Sequence, residues 1–207
     1  MSKKVNLEPA PITKKANSKS KFVVRILRPN EYKKIESQIM KVHHKVMLQA
    51  LLFTGMRYIE LKRFQKNPRW YDGSFIKISV GTGVKKHQIR MNERYVILNP
   101  LGRMAINNFL MLKEELPTNQ TWRENLIRWA ESAGLDPIGL CPKTTRKTWE
   151  SWLVFYYPQQ IVPVILSQGH TMEVSLKHYL NFPFTKIDRI EMEEYVSGWG
   201  NVEYPSD

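Results

Sequence analysis

A single cysteine, Cys141, stands in the 207 residues. An intramolecular disulfide is therefore excluded, and a reducing, cytoplasmic setting fits. No Cys or His cluster carries zinc-ligand spacing, so no metal site is expected. No apolar run approaches the roughly 18 residues of a membrane span. The N-terminus carries lysines without an apolar stretch behind them, unlike a secretory signal. Gly81 and Gly83 have no third glycine and no helix opening after them, so they are no nucleotide-binding fingerprint. No internal repeat is evident. Acids are scarce as well: 19 Asp and Glu against 32 Lys and Arg, a net charge of +13. That excess suits a polyanionic partner, with nucleic acid first in line.

What is present is enough for one folded domain. Hydrophobic residues make up 42% of the chain, which supports a sizeable core. Residues 1–28 form a basic segment, with Lys3, Lys4, Lys14, Lys15, Lys19, Lys21, Arg25 and Arg28 against Glu8 alone. Pro9 and Pro11 oppose helix there. The segment is read as a flexible arm that tracks phosphates, with Lys14, Lys15, Lys19 and Lys21 as its DNA contacts. Phe22 to Leu27 is β-prone. Residues 29–199 are read as the domain proper and residues 200–207 as a tail.

Within the domain the periodicity predicts a mainly helical α+β fold with one small antiparallel sheet. A helix opens at Asn30 as N-cap, with Tyr32, Ile35, Ile39 and Met40 on one face. A second, apolar helix from Val46 stops at Gly55. Arg57 follows, just ahead of a helix from Ile59 to Phe64, where Glu60 can cap or pair. Phe75 to Val80 and Glu93 to Leu98 alternate as two strands. Leu101 to Leu116 and Trp122 to Ala133 read as helices, the second ended by Gly134. A further helix begins at Lys143 and Arg146, which share a face at i and i+3. Ile161 to Leu166 is short and apolar, and Lys186 to Val196 forms a last amphipathic helix through Ile187, Ile190 and Met192.

Four short stretches carry the chemistry. They are Thr54-Gly55-Met56-Arg57-Tyr58-Ile59-Glu60-Leu61, then Lys143-Thr144-Thr145-Arg146, then Ser167-Gln168-Gly169-His170, then Tyr179. Guanidinium groups offer planar forks that match phosphate oxygens. A phenol becomes a nucleophile once its proton is accepted. Two arginines, a lysine, a histidine and a tyrosine are parts suited to cutting a phosphodiester.

The order and spacing of these stretches resemble the catalytic domain of the tyrosine recombinases, or phage integrases, from about Val42 to Tyr179. That family shows Thr-Gly-Leu-Arg-x-x-Glu-Leu, His-x-x-Arg, Leu-Gly-His and a tyrosine nine positions later. Lys143 stands where the second box usually has histidine, and the archaeal virus and plasmid branch is the most similar.

The resemblance implies a site-specific DNA recombinase. Tyr179 would be the nucleophile of a 3′-phosphotyrosyl intermediate, and Arg57 and Arg146 would hold the non-bridging oxygens. His170 and Lys143 would assist proton transfer. Lys86 would be the hairpin lysine that protonates the leaving oxygen, with Lys85 second in line. Lys85 and Arg90 would also contact DNA. The partner would be double-stranded DNA, bound by a homotetramer through the C-terminal helix, with no cofactor, membrane or small-molecule substrate. Localisation would be cytoplasmic, at the nucleoid.

Family members usually carry an N-terminal helical domain. Here only the residues before Val42 precede the matched region, so the basic arm substitutes or the form is minimal or truncated. Two alternatives stay open. One is DNA relaxation of the type IB topoisomerase kind, and the other is a non-catalytic DNA-binding regulator with a recombinase-derived fold.

Overall fold

In a computed structural model, residues 11–15, 23–79, 93–169 and 184–201 are described. The chain opens with an antiparallel pair, β1 (Ile12–Lys15) and β2 (Val23–Ile26), in which Ile12 faces Ile26 and Lys15 faces Val23. Three helices follow: α1 (Pro29–Ser37), α2 (Val42–Thr54) and α3 (Tyr58–Lys66). A second antiparallel pair is made by β3 (Phe75–Ile78) and β4 (Arg94–Ile97), with Phe75 opposite Ile97. Among the described residues five further helices follow: α4 (Pro100–Leu110), α5 (Asn119–Ser132), α6 (Thr144–Tyr156), α7 (Ile161–Gln168) and α8 (Lys186–Val196).

The fold is mainly helical α+β, but the described residues hold two small sheets where one was expected. The second arises at the N-terminal side. Ile12, Val24 and Ile26 are buried, and β2 packs along α6. The Arg25 N–H donates to the Gly139 carbonyl at 2.9 Å, which fastens the strand to the loop before α6. Arg25 and Arg28 are buried too. Arg25 pairs with Glu31 at 2.5 Å, and Arg28 pairs with Asp188 at the head of α8.

Helix α2 is the central element. It is buried along most of its length and packs against α4 and α6. Such a helix needs no polar face, and its sequence from Met47 to Phe53 is apolar apart from Gln49. Gly55 ends it in the left-handed conformation, φ 58°, which a side chain disfavours. Trp122, Trp149 and Trp152 fill the interior. Tyr32, Trp152 and Tyr195 meet ring to ring with centroids 5.3–6.1 Å apart, tying α1, α6 and α8 together.

Some local expectations shift. Helix α1 starts at Pro29 rather than after Asn30, because proline suits the first helical position and the Glu31 carboxylate accepts the Arg28 N–H at 2.8 Å. Met40 lies beyond that helix and is exposed. Helix α4 ends at Leu110, not Leu116. Leu116 precedes Pro117, which disfavours helix, and its N–H donates to Gln65 Oε1 while Gln65 Nε2 donates to the Glu114 carbonyl. Those contacts draw the segment onto α3 and bury Leu116. Helix α8 is buried through Met192, Tyr195 and Val196, whereas Ile187 and Ile190 of the expected stripe are 68% and 71% exposed. No helix among the described residues is long and apolar enough to cross a membrane.

Candidate active site

The site is built where two helices end and two begin. After Gly55 the chain turns, helped by the Thr54 hydroxyl, which accepts the Met56 N–H at 3.1 Å. Arg57 then lies in extended backbone as the N-cap of α3. Glu60, in the first turn, accepts the Arg57 N–H on Oε2 at 2.8 Å and Arg57 Nη1 on Oε1 at 2.6 Å. A carboxylate in that position also complements the partial positive charge of a helix start. Glu60 is fully buried, while the Arg57 side chain keeps 33% exposure.

Arg146 enters from the first turns of α6 and is buried. Its Nη1 donates to the Gly55 carbonyl at 2.7 Å and its Nη2 to the Gln168 carbonyl. One guanidinium thus joins the C-terminal ends of α2 and α7, where carbonyls lack helical partners. The Gln168 side chain lies across Gly55, where an added Cβ would come within 2.6 Å of its amide. Gly169 ends α7 with φ 63°.

Sequence reasoning missed Arg94. It projects from β4, is buried, and donates from Nη2 to Glu60 Oε2 at 2.7 Å and from Nη1 to the Ser167 carbonyl. The available signal was alternation, since Arg94 shares a strand face with Val96, a buried core residue. Lys147 was missed as well. It lies 3.4 Å from the buried Glu150 and beside Arg146, and burial pulls its ammonium below the usual lysine range.

The electrostatics follow from this packing. Burial pushes the Glu60 carboxyl up, but Arg94, Arg146 and Arg57 together with the Arg57 N–H pull it down to about 2. Burial, and then the charges of Arg57 and Arg94, lower Arg146 to about 9. Among the described residues three guanidinium groups therefore face the Glu60 carboxylate, and the buried Glu150 acts on Arg146 and Lys147 as well. Charge held out of water in this way favours an anion.

Of the residues expected from the sequence, Arg57 and Arg146 converge on Glu60, which both pairs and caps as anticipated. Lys143 is the N-cap of α6 and exposed, whereas Arg146 is buried. Lys14 and Lys15 lie on β1. Lys19, Lys21, Lys85, Lys86, Arg90, His170 and Tyr179 lie outside the described residues.

No family model and no curated protein matches the chain. Solved structures do. A Tn1549 transposon integrase fragment in complex with circular intermediate DNA superposes with a TM-score of 0.56 at 20% identity, over 82% of this chain and 66% of that one. The same integrase with transposon right-end DNA gives 0.54 at 21%, over 83% and 66%. The XerH site-specific recombinase, bound to a palindromic difH substrate, gives 0.54 at 19%, over 84% and 53%. The chain has the fold of a tyrosine recombinase catalytic domain. It spans about two thirds of the integrase fragment and about half of the XerH chain.

Proposed function

We propose that this chain cleaves and rejoins DNA strands through a covalent tyrosyl intermediate, as a site-specific recombinase. The observation that carries the reading is the convergence of Arg57, Arg94 and Arg146 on the buried Glu60, with Arg57 open to solvent at the start of α3. A phosphodiester presents one negative charge and two non-bridging oxygens, which suits a guanidinium fork held in place beforehand. The fold shared with DNA-bound recombinase structures supports the same reading.

In the proposed reaction the Tyr179 hydroxyl oxygen attacks phosphorus and its proton passes to a neighbouring base. The P–O bond to the 5′-oxygen breaks, leaving a 3′-phosphotyrosyl link, and that oxygen takes a proton from Lys86. Arg57 and Arg146 stabilise the charge that builds on the non-bridging oxygens, and His170 and Lys143 assist the proton transfers. Attack by a 5′-hydroxyl reverses the sequence on the same or a second strand, so bond energy is conserved. Lys85, Arg90 and the lysines Lys14, Lys15, Lys19 and Lys21 would follow the DNA backbone. Four copies would assemble on DNA through α8, whose Ile187 and Ile190 are turned to solvent. Lys143 in the second box supports an origin in the archaeal virus and plasmid branch.

The test is a pool of nicked duplexes of randomised sequence, in which the short leaving strand diffuses away after cleavage and traps the adduct. Wild-type protein should give a denaturant-resistant protein–DNA band, and peptide mapping should put the DNA on Tyr179. Tyr179→Phe should abolish the band and keep DNA binding. An adduct of normal yield from Tyr179→Phe would remove Tyr179 from the chemistry. DNA binding without any wild-type adduct would leave a non-catalytic DNA-binding protein.

A further inference from the structure

Arg94 is tied to both halves of the cluster. Its Nη2 holds Glu60 Oε2, the same oxygen that accepts the Arg57 N–H, so the carboxylate that orients Arg57 is itself fixed from β4. Its Nη1 holds the Ser167 carbonyl, next to the Gln168 carbonyl that Arg146 holds. Its shaft lies flat on Gly169, where an added Cβ would come within 2.5 Å of Arg94 Cδ. Ser167 Oγ accepts the Ile97 N–H at 3.1 Å, so β4 and α7 are joined at a second point.

We propose that Arg94 is a positioning residue for strand cleavage, setting Arg57 through Glu60 and setting the end of α7 through Ser167 and Gly169. The inference rests on the recombinase reading above and deepens it. Both terminal nitrogens of Arg94 are held by protein acceptors, one on α3 and one on α7. Its guanidinium is a fork with two ends, and the two ends grip different elements. A lysine would keep the charge with one compact donor group and could not hold both acceptors in the same plane. Losing the fork would let Arg57 and the end of α7 drift relative to each other. Misplacement of about 1 Å at a reacting centre costs on the order of 100-fold in rate.

Among the described residues three charged groups face Glu60: Arg57 from α3, Arg94 from β4 and Arg146 from α6. Removing Arg94 takes away the first of the charges that hold its carboxyl low. Glu60 in Arg94→Met should then accept a proton at higher pH, and the acid limb of the cleavage profile should move up with it.

The experiment compares wild type, Arg94→Met and Arg94→Lys by single-turnover adduct formation on the nicked-duplex pool and by DNA affinity. Heteronuclear NMR of the Arg57 guanidinium gives a readout that needs no cleavage. Arg94→Met should cut the adduct rate about 100-fold with DNA affinity kept, shift the acid limb upward, and free the hindered rotation of the Arg57 guanidinium. Arg94→Lys should recover part of the rate and return the acid limb toward wild type, and it carries the test if Arg94→Met does not fold. If wild type forms no adduct, the recombinase reading fails while the Arg57 resonance still reports on positioning. A folded Arg94→Met or Arg94→Lys with wild-type rate, or an Arg57 resonance unchanged by either substitution, would overturn the proposal. So would rate, affinity and melting temperature falling together without a shift in the acid limb.

Discussion

Glu60 holds Arg57 twice, by the backbone N–H at 2.8 Å and by Nη1 at 2.6 Å. One carboxylate thereby caps a helix and aims a guanidinium, so the start of α3 and the direction of Arg57 are set by the same group. Arg94 and Arg146 also act on Glu60, so three arginines share its carboxylate.

That arrangement predicts an acid-sensitive fold. The Glu60 carboxyl lies at about 2 in the folded chain, below its ordinary 4.5. Its contribution is therefore full above the unfolded value and fades as pH falls from about 4.5 toward about 2. Chemical denaturation of wild type and Glu60→Gln should show a stability gap of a few kcal/mol near neutral pH, since the substitution leaves buried guanidinium groups uncompensated. The gap should shrink by about 3 kcal/mol across that acidic window. A gap that does not change with pH would mean that Glu60 is not held ionised by its arginines.

Gly139 makes a second prediction. Its φ is +82°, and a Cβ there would come within 2.9 Å of the Arg25 backbone nitrogen and 3.1 Å of the Val23 carbonyl oxygen. Backbone atoms cannot swing aside as a side chain can. Gly139→Ala should cost about 1–2 kcal/mol from the left-handed backbone alone, with a further loss as β2 lifts from the loop. Hydrogen exchange should speed up at the Arg25 amide. A variant that melts like wild type, with Arg25 still protected, would refute the close approach.

The basic segment yields a salt prediction. Deleting residues 1–21 would take away β1 and the buried Ile12, so charge is better removed by substitution. Replacing Lys14, Lys15, Lys19 and Lys21 with glutamine should weaken DNA binding. It should also flatten the log–log salt dependence by about 0.9 for each lysine that had met a phosphate. An unchanged slope would show that these lysines make no phosphate contact.

Assembly on DNA can be separated from folding in the same manner. Truncation after Phe184 would remove Met192, Tyr195, Val196 and Trp199 from the interior, as well as Asp188, the partner of Arg28. Loss of activity would then say nothing about assembly. Ile187→Glu with Ile190→Glu changes two exposed positions and should leave the unfolding free energy within about 0.5 kcal/mol of wild type. Sedimentation on a two-site DNA should nevertheless show smaller complexes, and strand exchange should fall. Full-size complexes from the double variant would exclude this part of α8 from assembly.

Much of this molecule is legible from neighbours along the chain. Gly55 and Gly134 stop helices because the left-handed region is open to glycine, and both were readable as breaks. The apolar run from Met47 to Phe53 marks a buried helix without reference to anything else. The mainly helical fold, and the spacing that puts Arg57 and Arg146 at helix starts, follow from such signals and from the resemblance they support.

Tertiary structure alone decided which partners the charges take. Arg94 finds Glu60 from 34 positions away and the Ser167 carbonyl from 73, and Arg28 finds Asp188 across 160. On the chain, Arg25 and Arg28 look like further members of a basic arm. In the fold, β2 runs along α6 and carries them into the interior, where each needs a carboxylate. Helix α8 makes the same point with apolar residues. Its periodicity puts Ile187, Ile190 and Met192 on one stripe, yet packing against α1 and α6 buries Met192, Tyr195 and Val196 and leaves both isoleucines outside. Helix and turn signals depend on groups within about one turn of each other. The choice of a buried partner depends on which surfaces meet after collapse, and a window of sequence does not contain that information.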